Sequence, residues 1–105
     1  MMNEYIAGES IPLEFEFLKE NREPLDLTLF TARFKMCPMG EEDVVVIDKE
    51  GELDDVPTTG RFYIDLLPSE TIDLEEGYYT FQASVSQGET LRQVLENTLF
   101  IKGAI

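Results

Sequence analysis

Apolar residues recur at every second position through much of this chain. In Leu13-Glu14-Phe15-Glu16-Phe17 the odd positions are apolar and the even ones charged. Side chains on an extended strand point alternately to opposite faces, so such a segment buries one face and wets the other. Phe30-Thr31-Ala32-Arg33-Phe34-Lys35-Met36 repeats the pattern with its even positions inward. Phe62, Ile64 and Leu66 alternate with Arg61, Tyr63 and Asp65, and Tyr79, Phe81, Ala83 and Val85 alternate with Thr80, Gln82, Ser84 and Ser86. Four such segments in a chain of 105 residues predict an antiparallel sandwich or barrel.

Weaker segments complete the count. Glu4 to Ala7 reads as a short edge strand before the Gly8-Glu9-Ser10 turn, and Val44 to Asp48 as a β-branched strand. The stretch Leu91 to Ile101 is ambiguous. Leu91, Val94 and Leu95 have helical spacing, whereas Leu95, Leu99 and Ile101 fit a strand with a bulge near Asn97. It is read as a strand, because a sandwich needs a last strand to cover its edge. Turn residues at 21–24, 37–40, 50–51, 57–60 and 87–89 separate these segments. The result is one domain over residues 1–105, an all-β, seven-stranded antiparallel sandwich of immunoglobulin type.

The segment from Leu67 to Gly77 departs from the strand pattern. Pro68 presets the backbone, Ser69 is placed to cap and Gly77 to terminate, which predicts a short helical turn near residues 68–74. Ile72 and Leu74 are expected to lid the core. In an immunoglobulin-type sandwich this is the crossover between the fifth and sixth strands. Tyr79, just beyond Gly77, then falls at the place of a tyrosine corner, its hydroxyl bonded to backbone in the preceding loop. Phe81 falls where antibody domains carry a cysteine, and Phe15 or Phe17 is expected to face it.

The runs Gly60-Arg61-Phe62-Tyr63-Ile64-Asp65-Leu66, Pro68-Ser69-Glu70-Thr71 and Leu74-Glu75-Glu76-Gly77-Tyr78-Tyr79 resemble the immunoglobulin-like domains of bacteriophage and prophage structural proteins. The N-terminal domain of baseplate upper proteins is one such domain. Gly8-Glu9 opening a strand, Pro24-Leu25-Asp26-Leu27 ahead of the third strand and a last strand ending near Gly103 agree loosely. The resemblance implies virion assembly in tail, baseplate or head decoration, through contacts with other structural subunits, often in an oligomer.

Composition narrows the chemistry. The chain carries 8 Lys and Arg against 22 Asp and Glu, a formal net charge of −14. Such a surface repels nucleic acid and anionic membrane. No apolar run approaches a bilayer span, and Met1 to Tyr5 lacks the basic and apolar regions of a signal peptide, which predicts synthesis in the cytoplasm. There is no histidine, and the one cysteine, Cys37, has no imidazole to activate it, so no catalytic group is assigned. Carboxylates are the abundant reactive group. Glu41 and Glu42 are expected at the same end as Glu70, Asp73, Glu75 and Glu76, with Glu50 to Asp55 at the opposite end. The first cluster is a weak calcium candidate, since calcium takes six to eight oxygens. Solvated loops are the simpler reading. Tyr63, Tyr78 and Phe100 point outward by alternation and are the interface candidates. A non-enzymatic assembly protein is the leading reading. A calcium- or carbohydrate-binding sandwich and an acidic inhibitor of a basic-site protein are the alternatives.

Overall fold

The computed structural model describes residues 3–89 and 91–103. The chain ends expected to fray or to bind a neighbouring subunit, Met1, Met2 and Ala104-Ile105, lie outside these residues. Among the described residues eight strands form two facing sheets, where seven were expected. They are β1 (Asn3–Ile6), β2 (Ile11–Glu16), β3 (Thr31–Pro38), β4 (Ile47–Glu50), β5 (Glu52–Leu53), β6 (Arg61–Leu66), β7 (Gly77–Gln87) and β8 (Leu91–Lys102). One sheet has the order β1-β8-β7-β3-β4 and the other β2-β6-β5. The pairing is not wholly antiparallel, because β1 runs parallel to β8. The additional strand arises where Gly51 breaks the chain between β4 and β5, sending them to different sheets.

The alternation decides which residues meet. Phe34, Phe62, Ile64, Leu66, Ala83, Val85, Leu99 and Ile101 are buried, as are Phe15, Tyr79 and Phe81. Phe15 of the small sheet approaches Phe62 at 5.1 Å between ring centroids, and Phe81 at 5.6 Å and Phe34 at 6.0 Å across the sandwich. Phe34 and Phe81 stack at 5.6 Å, and Phe17 stacks on Phe62 at 6.0 Å. Aromatic pairs at such separations add about 0.5–1.5 kcal/mol each beyond the area they bury.

Three local expectations change. The last strand pairs with β7 in unbroken register from Gly77↔Ile101 to Gln87↔Leu91, with no bulge at Asn97. A partner eleven residues long overrides the helical spacing of Leu91, Val94 and Leu95. The fourth strand starts only at Ile47, leaving Val44 to Val46 in the preceding loop and exposed; the Val46 N–H bonds the Met36 carbonyl one residue out of step with the ladder, and Pro38 has no N–H to continue it. The predicted turn near 68–74 contracts to one helix, α1 (Pro68–Thr71).

Gly60 ends a 3-10 turn at Pro57–Thr59 and leads into β6 with φ of 73°. A Cβ there would lie 2.5 Å from the carbonyl oxygen of Phe17, so a side chain meets both the left-handed backbone and a neighbouring peptide. Gly60→Ala is expected to lower stability by about 2 kcal/mol or more. Phe62→Ala, which empties a fully buried site, is expected to cost about 3–5 kcal/mol. Urea denaturation of the two variants and the wild type measures both.

Candidate functional site

The crossover is fixed by side chains of three kinds. Glu70, not Ser69, satisfies the start of α1: its carboxylate accepts the Leu67 N–H at 2.9 Å and the Lys49 ammonium at 2.8 Å. Burial alone raises the Glu70 pKa, but the Leu67 N–H and the Lys49 cation outweigh it and hold the group below its ordinary range. Lys49 also donates to the Asp65 carbonyl at 2.6 Å, tying β4 to the other sheet. Thr71 is fully buried, accepting from the Gly8 N–H and donating to the Glu9 carbonyl, both at 2.9 Å. It therefore pins the β1–β2 turn to α1. The Tyr79 hydroxyl donates to the Glu75 carbonyl at 2.7 Å, four residues upstream. Leu74 packs against the core, whereas Ile72 is half exposed and is no lid.

The loop after β3 lies beside the start of β7, where the Met39 N–H bonds the Tyr78 carbonyl, and β4 runs from that end toward Glu50 at the other. Among the described residues no group of three or more acids or cysteines is gathered closely enough to hold a metal ion. Glu70 is engaged by Lys49, and Glu76 accepts the Gly103 N–H at 3.1 Å. Glu41, Glu42, Asp73 and Glu75 are exposed on loops. Glu52, Asp54 and Asp55 lie along the outer face of the small sheet, where they line a groove of about 570 Å³ with Glu14, Tyr63 and Asp65. The strand register brings these together: Glu14 and Glu52 both lie opposite Tyr63, on its two sides. Asp54 anchors the groove by accepting the Tyr63 hydroxyl at 2.7 Å. That bond lowers the pKa of Asp54 and raises that of Tyr63. Arg61 is the cation on this face, paired with Glu16 at 3.0 Å and Glu14 at 3.7 Å.

The outer face of the five-stranded sheet carries both signs of charge, with Arg33 of β3 paired to Asp48 of β4 at 2.7 Å, around an uncharged central strand. The outward side chains of its central strand β7 are Tyr78, Thr80, Gln82, Ser84 and Ser86, none of them charged. Tyr78 is half exposed and packs edge-on against Phe100 of β8 at 4.9 Å. Met39, whose N–H bonds the Tyr78 carbonyl, and Val45 are exposed beside this face. Beside them Cys37, Thr80, Gln82, Val45, Lys35 and Glu96 line a groove of about 240 Å³. Burial, with the charges of Glu42 and Glu96, raises the pKa of the Cys37 thiol, which keeps it protonated and unreactive near neutral pH. Of the three aromatics expected at an interface, Tyr78 and Phe100 form a pair on this face, and Tyr63 sits in the acidic groove across the sandwich. The alternation of β7 held the signal for the neutral face, since five successive outward positions lack charge in a chain with 29% charged residues.

No protein-family model matches the chain, and no curated protein does. Among solved structures, one described as a "putative glycoside hydrolase" from Bacteroides vulgatus ATCC 8482 aligns with a TM-score of 0.55 and 13% identity over 98% of this chain. The chain spans 17% of the length of that protein. The likeness shows a shared fold and carries no residue role. Among the described residues, no helix is long and apolar enough to cross a membrane.

Two outcomes test the crossover. Thr71→Val leaves the Gly8 N–H and the Glu9 carbonyl unpaired and is expected to cost about 1–3 kcal/mol in chemical denaturation. Glu70 has a folded-state pKa below its unfolded value, so its stabilising contribution is present above 4.5 and is lost as pH falls through the folded value. Between about pH 6 and about pH 3, the melting temperature of Glu70→Gln is therefore expected to fall less than that of the wild type.

Proposed function

We propose that this chain is a non-enzymatic immunoglobulin-like module that acts through protein–protein contacts, as a structural or assembly subunit of a phage or prophage particle. Three features support the immunoglobulin-like assignment. The five-stranded sheet adds one strand, β4, beside β3, as variable-type domains extend their corresponding sheet. The Tyr79 hydroxyl reaches back to the Glu75 carbonyl as a tyrosine corner does. Phe15 and Phe81 meet across the sandwich where antibody domains carry their disulfide.

The observation that carries the functional reading is the division of charge between the two sheets. A chain with a net charge of −14 keeps the outward side of β7 free of charge and sets the half-exposed Tyr78, paired with Phe100, at its end. Contact surfaces are depleted of charge at the centre and enriched in aromatics, so this face has the chemistry of an interface. The sequence resemblance supplies the particle as the setting, with synthesis in the cytoplasm and incorporation into a virion. The acidic groove beside Tyr63 supports a second reading, an acidic surface offered to a basic protein.

Mass spectrometry of particles purified after prophage induction in the source strain tests the assignment. The chain is expected in the particle fraction, and Tyr78→Arg, which places a cation on the neutral face, is expected to lower its incorporation at least several-fold. A chain absent from the particles contradicts the structural role. Incorporation lost in Glu14→Gln/Asp54→Asn but kept in Tyr78→Arg favours the acidic groove.

A further inference from the structure

We infer that the outer face of the five-stranded sheet pairs with the same face of a second copy of this chain, about a two-fold axis lying along β7. This rests on the reading that the chain works by protein–protein contact, and it names the partner. The row of residues across the middle of the face defines the pairing. Gln82 of β7 lies opposite Glu96 of β8 on one side and Lys35 of β3 on the other. The face therefore carries an anion and a cation at matching distances on either side of an uncharged centre.

A two-fold rotation about an axis along β7 exchanges left and right while turning the sheet over. It lays the β8 side of one copy on the β3 side of the other. Each Glu96 then meets a Lys35 of the second copy, twice per dimer, and the uncharged side chains of β7 meet their own equivalents. Rotation about the perpendicular in-plane axis would instead set Glu96 against Glu96 and Lys35 against Lys35, so the charges select one arrangement. Aligned sheets pack about 10 Å apart and about 30° askew, a mismatch smallest near the axis, where this row lies.

The charged groups are prepared for such a contact. Gln82 holds the Glu96 carboxylate over the sheet through a 2.9 Å bond from Nε2. Lys35 is exposed and has no ion-pair partner within 4.0 Å among the described residues, because Asp48, its register partner on β4, is held by Arg33 at 2.7 Å. The same rotation carries the half-exposed Tyr78 toward its equivalent and Phe100 toward Met39 of the second copy. Two copies each bearing a charge of −14 repel through most of their surface. The small sheet, with Glu14, Glu52, Asp54 and Asp65 outward, cannot face itself without opposing like charges. The five-stranded face avoids that conflict.

Sedimentation equilibrium on the purified chain at physiological salt, with Lys35→Glu and Glu96→Lys as variants, tests the pairing. The wild type is expected to dimerise, and each single reversal, which creates two repulsive contacts, is expected to weaken the dimer roughly tenfold or more. An equimolar mixture of the two singles restores association as a heterodimer, because each unlike pair is opposite in sign again. Both sites are exposed, and circular dichroism melts confirm that the variants fold. The proposal is overturned if the wild type stays monomeric up to about 1 mM. Singles that dimerise like the wild type, or a mixture that fails to recover, overturn it equally. A monomer still found in particles would leave the assembly reading standing, whereas a dimer absent from particles would remove that reading and keep the pairing.

Discussion

The contact between Phe15 and the pair Phe34–Phe81 joins the two sheets, and the rest of the structure depends on it. One cysteine forecloses an internal disulfide, so the sheets adhere chiefly through buried apolar surface, with the Lys49–Asp65 hydrogen bond beside it. At about 25 cal/mol per Å² the burial of large aromatics is the strongest non-covalent means available to a small domain. It also determines polarity. Once Phe34 and Phe81 face inward, Lys35, Cys37, Thr80 and Gln82 must face outward, because a strand offers each residue one side or the other.

This coupling makes the surface a consequence of the core. The inward residues of β7 occupy odd positions, and the even positions between them are free of charge. The inward residues of β2 and β6 are interleaved with Glu14, Glu16, Arg61 and Asp65. The two sheets thus bury similar material and display different chemistry. A net charge of −14 opposes association in general, and the five-stranded sheet sets the opposite charges of Arg33, Lys35, Asp48 and Glu96 around the uncharged outward row of β7 in place of an acidic surface. The acidic face keeps its own order, since Asp54 is fixed by Tyr63, Thr59 and the Val56 N–H and is not left as a loose carboxylate.

Much of this was legible from the period-two pattern, which located β2, β3, β6 and β7 and the direction each faces. What escaped depended on contacts between distant segments. Val44 to Val46 has strand composition, but the Val46 N–H bonds the Met36 carbonyl out of step with the ladder, which is regular only from Met36↔Ile47 inward. Leu91 to Leu95 has helical spacing, and the long hairpin with β7 prevails over it. Ser69 is a good cap by type, yet the carboxylate of Glu70 reaches the Leu67 N–H. The buried Thr71 gave no signal at all, because its hydroxyl serves the backbone of a turn 62 and 63 residues away. The acidic groove required the register of β2, β6 and β5, which alternation within single strands does not supply.

Contacts made by this chain are proposed to run through the outward row of β7 on the five-stranded sheet. Amide chemical shifts followed by NMR over a dilution series test this most directly. The account predicts concentration-dependent shifts confined to Tyr78, Thr80, Gln82 and Ser84 and their neighbours Cys37, Lys35, Glu96 and Thr98. Shifts centred instead on Glu14, Tyr63 and Asp65 of the small sheet would contradict it.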